Sequence, residues 1–134
     1  MSKTPVSRSR GLLIVDHGTR NEAANERLAA LAESVANERP EWLVRHAHME
    51  LAAPDFEQAI DALVRSGASE IFVHLHFLGA GFHVRESIPN LVEAARERHP
   101  GVEIATSDPL GHDPRLVDIV IQRLDAHEAR DEKG

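Results

Sequence analysis

His17, Glu50 and His83 are residues whose types could support chemistry, provided that one fold brings them together. Two imidazoles and a carboxylate around an open crevice suit a first-row divalent cation and leave positions free for a substrate. They stand too far apart in the chain for a local metal-binding motif, so the elements between them must do the positioning. Each also has a plainer reading. His83 can be a histidine at a helix start that bonds only the backbone, and Glu50 an ordinary carboxylate at a strand end. His17, in a strand-His-Gly turn, has little structural work to do.

The stretch Glu70 to Pro89, EIFVHLHFLGAGFHVRESIP, shows how such a residue could be delivered. Ile71 to Leu78 is a short apolar run of the kind that forms a central parallel strand. It runs into Gly79-Ala80-Gly81, an elbow that puts His83 where a new helix begins. Upstream, GLLIVD (Gly11 to Asp16) reads as a first buried strand ending at His17. Leu28, Leu31, Ala32 and Val35 then mark a helix that stops before Pro40. Leu43 to Glu50 reads as a second strand, at an edge. Asp55 and Gln58 have capping-box spacing, Phe56, Ala59, Ile60, Leu63 and Val64 form one apolar face, and Gly67 suits the C′ position. Ile88, Leu91, Val92 and Ala95 mark a third helix, with Pro89 expected in its first turn. Val102 to Thr106 is a fourth strand. Asp113-Pro114 caps a last helix, whose Leu116, Ile119, Val120 and Leu124 are expected to face inward.

A βαβαβαβα order predicts a three-layer α/β fold, with a parallel sheet, helices on both faces and right-handed crossovers. In the strand order 2-1-3-4 the switch point lies between strands one and three, so His17 and His83 would line one crevice. Glu50, at the end of strand two, lies on the same edge. One domain is expected over 11–127, between a flexible tail at 1–10 and a charged tail at 128–134.

Other polar residues carry open readings. Arg20 and Arg85 stand two or three residues past a candidate ligand, and either meet an anionic substrate or are solvated helix-start residues. His74 and His76 share one strand face, and His46 and His48 another. They form accessory metal sites, or are polar groups near strand ends or at a subunit contact. His76 lies nearest the expected crevice. Composition narrows the classes further. The 134 residues suffice for one sizeable core. A formal net charge of −7 argues against a nucleic-acid partner. No run of about 18 apolar residues offers a membrane span. Cysteine is absent, which removes disulfides and thiolate chemistry and makes the cytoplasm the expected location. Nine histidines raise the interest in metal binding.

LLIVDHGTR, HMELAAPDFEQAI, FLGAGFHVRESIP and PLGHDP, in this order between Gly11 and about Leu124, resemble the small class II chelatases, the sirohydrochlorin chelatases of the CbiX and SirB type. The resemblance implies a flavodoxin-like, chelatase-like half, with metal-binding histidines at His17 and His83 and the acidic residue of the site at Glu50. It implies a sirohydrochlorin-type tetrapyrrole as partner and a divalent ion (Co²⁺, Fe²⁺ or Ni²⁺) as substrate, with no permanent organic cofactor. A homodimer is implied as well, since short members pair. Two departures bear on metal preference: Asp16 stands where many members have Gly, and His74-Leu75-His76 replaces a frequent Leu-Pro-Tyr. An acidic protein would need a basic rim for a polycarboxylate, and Arg20, Arg85 and Arg45 are its candidates. A carrier that binds metal or tetrapyrrole without turnover is the alternative. A histidine-phosphatase reading of LIVDHGT fails on Asp16, a carboxylate where phosphate would need an arginine.

Overall fold

A strand as apolar as GLLIV is stable only with both faces covered and both edges paired. In the computed structural model, β1 (Arg10–Asp16) has all of these. It pairs in parallel with β2 (Leu43–His48) on one edge and with β3 (Glu70–Leu75) on the other. β4 (Glu103–Thr106) adds to β3, so the order is β2-β1-β3-β4, as expected. The structure describes residues 9–79 and 81–133, excluding the side chains of Phe82, His83 and Lys133. Most of the expected N-terminal tail, and Ala80 of the elbow, therefore lie outside the described residues. Ser9 and Arg10 do not belong to a tail, since Ser69 N donates to the Ser9 carbonyl at 2.7 Å and Arg10 opens β1.

Four helices link the strands: α1 (Glu22–Glu38), α2 (Phe56–Arg65), α3 (Phe82–Arg98) and α4 (Leu116–Lys133). Asn21 caps α1 by accepting from Ala24 N, and Asp55 and Gln58 close the expected capping box on α2. Gly67, at φ +109, takes the left-handed position after α2 that a side chain would strain. The main core lies between the sheet and α2 and α3, with Leu13, Val15, Ile60, Leu63 and Val73 fully buried. Ile14, Leu28 and Ala32 form a smaller core under α1.

Three expectations are corrected. Pro89 is not in the first turn, because α3 already starts at Phe82. Val84, four residues before Ile88 and buried like it, carries the apolar face back past the proline. β3 stops at Leu75, short of Leu78, although His76 N adds one more bond to the Val15 carbonyl at 2.7 Å. The largest difference is α4, which continues through the expected charged tail to Lys133. Its apolar residues do not face inward: Val117, Ile119, Val120, Ile121 and Leu124 are all exposed. Among the described residues, no strand or other helix packs extensively against it. Among the described residues, no helix is long and apolar enough to cross a membrane.

Leu63 is fully buried and packs beneath Gly11, where an added methyl would meet its side chain. Leu63→Ala is expected to lower unfolding free energy by about 2–5 kcal/mol through lost transfer energy and a residual cavity. Denaturant titration at constant m-value checks this.

Candidate functional site

Parallel register sets the ends of β1 and β2 side by side, because Asp16 pairs with His48. The two chains stay together for one step more: Met49 N donates to the Asp16 carbonyl and Glu50 N to that of His17, at 2.8 and 3.1 Å. His17 and Glu50 thus leave the sheet as neighbours. Both side chains are exposed and line a hollow of about 200 Å³, with Met49, Val84, Ser87 and Leu91 as its other walls. The imidazole of His17 rests on Phe77, ring centres 4.7 Å apart.

Gly18 makes this convergence possible. Its φ is +88, and a Cβ there would overlap the Glu50 carbonyl and crowd His48. On the far side of the turn, Asn25 accepts from Thr19 N at 3.1 Å and donates to the Thr19 carbonyl at 2.7 Å. Leu51, directly after Glu50, sits at φ +71, an uncommon conformation for a non-glycine residue. His83 is the second residue of α3, next to Val84, which lines the hollow. Its side chain lies outside the described residues. The backbone therefore brings three of the expected positions to one crevice: His17, Glu50 and the helix turn bearing His83.

The remaining candidates go elsewhere. Arg20 lines a neighbouring hollow of about 520 Å³ with Glu22, Glu26, His46 and His48. Arg85 is exposed on the first turn of α3 and lines none of these walls. Arg45 is exposed on the edge strand β2. His76 turns into an apolar groove with Leu12, Ile14 and Phe72, where its Nδ1 lies 3.1 Å from Nε2 of His74. Burial holds the His74 imidazole below its ordinary range, and the adjacent His76 adds to the effect.

Sequence patterning did not reveal the role of His48. It is 1% exposed, and its Nδ1 donates to Asp16 Oδ1 at 2.6 Å. Asp16 thus has a side-chain partner in the adjacent strand. No accessory metal cluster joins them, since no group of three potential ligands is arranged for a metal among the described residues. Desolvation lowers the pKa of neighbouring His46, with His48 the next contribution. The strand register carried the missing signal, as positions 16 and 48 become opposite once β1 and β2 are aligned.

A parallel sheet in the order β2-β1-β3-β4, with a histidine and a carboxylate converging at the carboxyl ends of two of its strands, defines an α/β protein of the doubly wound class. The family model that matches is CbiX, over residues 11–127, and the chain belongs to that family. It is 32% identical to the chloroplastic sirohydrochlorin ferrochelatase of Arabidopsis thaliana, over 91% of this chain and 54% of that protein. It is 30% identical to the sirohydrochlorin cobaltochelatase of Methanocaldococcus jannaschii, over 84% of this chain and 95% of the other. Among solved structures, it matches the sirohydrochlorin chelatase SirB from Bacillus subtilis subspecies spizizenii in complex with cobalt. There the TM-score is 0.78 at 28% identity, over 88% of this chain and 50% of that one. The chain spans about half the length of the plant relative and of SirB, and nearly all of the archaeal one.

His48→Ala is expected to cost about 2–4 kcal/mol, from the cavity and from the Asp16 carboxylate left without its donor. Asp16→Ala/His48→Ala should cost less than the sum of the single changes, measured as a double-mutant cycle. The lowered pKa values of His46 and His74 also set a pH dependence. Below their ordinary 6.5 the unfolded chain takes up protons that the folded chain resists, so stability falls with acidification. The denaturation midpoint should hold above about pH 7 and decline toward pH 5.5, and His46→Gln/His74→Gln should flatten that decline.

Proposed function

We propose that this protein is a chelatase that inserts a divalent metal, cobalt or iron and by the same ligand chemistry nickel, into a sirohydrochlorin-type tetrapyrrole. Cobalamin or sirohaem synthesis in the cytoplasm is the setting we assign to it. One observation carries the proposal: His17 and Glu50 share a small open hollow at the sheet edge, walled by the first turns of α3. At about 200 Å³ the hollow is below the ~300–1,000 Å³ usual for organic ligands. It suits an ion with its waters, and the macrocycle would lie across the mouth. The relatives, a sirohydrochlorin ferrochelatase and a sirohydrochlorin cobaltochelatase, support the reading of metal and tetrapyrrole as substrates.

His17 and His83 are assigned as metal ligands, both as neutral imidazoles. The overall step replaces two pyrrole N–H protons with the divalent ion, so two protons must leave for each ion inserted. Glu50 is assigned to accept them, or His17 once the ion has left it. The metal is a substrate that passes through the site. Arg20 and Arg85 are assigned to the carboxylates of a macrocycle that overhangs the hollow. A face left open by half of a two-lobed architecture calls for a second wall, and we assign it to a second copy of the chain.

The test is an anaerobic absorbance assay with sirohydrochlorin and Fe²⁺, Co²⁺ or Ni²⁺ in turn, against the uncatalysed rate. Multiple turnovers are expected, with His17→Ala lowering kcat about 100-fold or more while the circular dichroism spectrum holds. Turnover should also decline on acidification, because only a neutral imidazole coordinates a metal ion. A change that stops at one equivalent would make the protein a carrier. Unchanged turnover in His17→Ala would remove His17 from the mechanism.

A further inference from the structure

β1 and β2 need no side-chain bond to stay aligned. Six parallel residue pairs join them, from Gly11 with Leu43 to Asp16 with His48. The fully buried Leu13 and Val15 fix the register from the core side. A polar pair is nonetheless built into the last of those positions. His48 is 1% exposed, and its Nδ1 donates to Asp16 Oδ1 at 2.6 Å. Among the described residues, its Nε2 has no hydrogen-bond partner. Burying an imidazole for a single bond stabilises little, and an apolar pair of similar volume often does as well or better. What the polar pair adds is direction. A short, charge-assisted bond admits few arrangements of the chains that carry it.

Those chains are the ones that form the metal hollow. Asp16 directly precedes His17, and Glu50 follows His48 by two residues. The loop after β2 starts from His48 and returns to it, since His48 N donates to the Pro54 carbonyl at 2.9 Å. Asp55, the cap of α2, comes next and bridges to His48. Glu50 lies inside that closed loop, beside Leu51 at φ +71. Gly18 crosses above, where a Cβ would crowd the His48 side chain and overlap the Glu50 carbonyl. His48 itself lines the neighbouring hollow, not the one shared by His17 and Glu50. It acts on the site only through the groups it holds.

We propose that His48 is a positioning residue for the metal hollow. Through Asp16 it orients the turn that carries His17, and through Pro54 it closes the loop that carries Glu50. The metal ligand and the proton acceptor thereby keep one separation as the ion arrives and leaves. The proposal rests on the reading of the hollow as a metal site, but not on turnover, because the separation is a property of binding.

Co²⁺ alone is the probe, titrated into the full chain and followed by its visible absorbance. The signal of His17→Ala is subtracted, which removes binding at the other histidines. Asp16→Ala/His48→Leu replaces the pair with apolar groups of similar total volume and is expected to keep a denaturation midpoint near the parent's. Its His17-dependent Co²⁺ affinity should still fall about 10-fold or more, the usual cost of losing a group that orients a ligand. A stable double variant that binds Co²⁺ as the parent does would overturn the proposal and leave the pair a purely structural one. If the double variant does not fold, His48→Asn is compared with His48→Gln. An asparagine amide nitrogen falls near the place of Nδ1 and can donate to Asp16, whereas a glutamine amide falls near that of Nε2. His48→Asn should hold the affinity and His48→Gln should lose it, and equal affinities would overturn the proposal. A parent with no His17-dependent Co²⁺ signal would overturn the metal hollow and the role of His48 together. A parent that binds Co²⁺ without turning over sirohydrochlorin, with the variants behaving as expected, would sink the chelatase reading alone.

Discussion

β1 hydrogen-bonds along both edges, and the distances that matter in the site follow from that double pairing. Held by β2 and β3 in parallel, it must end level with β2. The backbone bonds from Met49 and Glu50 carry the alignment two residues beyond the ladder, to the side chains that line the hollow. A one-residue slip would turn the inward set of β1 outward, and the fully buried Leu13 and Val15 forbid it. Core packing thus fixes the geometry of residues that are themselves exposed.

The Asp16–His48 pair ties those two strand ends a second time, through side chains. A buried imidazole donating to a carboxylate is electrostatically strong only where water is kept out, and costly if either member is lost. Gly18 crosses directly above, close enough to Glu50 and His48 that any side chain would force them apart. Strand register, a buried polar pair and a residue without Cβ act on the same few ångströms of chain.

The fold was legible because apolar runs and capping residues speak locally: GLLIVD, the Asp55–Gln58 box and Gly67 each stand where their physics requires. The meeting of His17 with Glu50 was legible through topology, since the order 2-1-3-4 places their strand ends side by side. His48 was not, because period-2 alternation says which face a residue takes but not which neighbour it finds there. The elbow placed the start of α3 within a residue, but Pro89 was wrongly put in the first turn, because proline is a loud signal and Val84 a quiet one. For α4, an amphipathic stripe shows that something must cover it, and a single chain cannot reveal whether that cover is its own. Arg20 and Arg85 were grouped with the site by proximity in sequence, yet Arg20, in the bend before α1, lines the neighbouring hollow, and Arg85, on α3, lines none of the site's walls.

Among the four strands described, β1 is the first to be made. Arg10 waits for Glu70, sixty residues later, before its second edge can close, and even its first partner, Leu43, lies well downstream of Gly11. Contacts of such long sequence separation slow folding, since loop-closure entropy is spent before any pairing energy returns. During synthesis GLLIV is an apolar segment with two open edges and no cover, a template for association with other chains. The residues that end at His17 are therefore those most dependent on the rest of the chain arriving in time, and crowded expression should be felt there first.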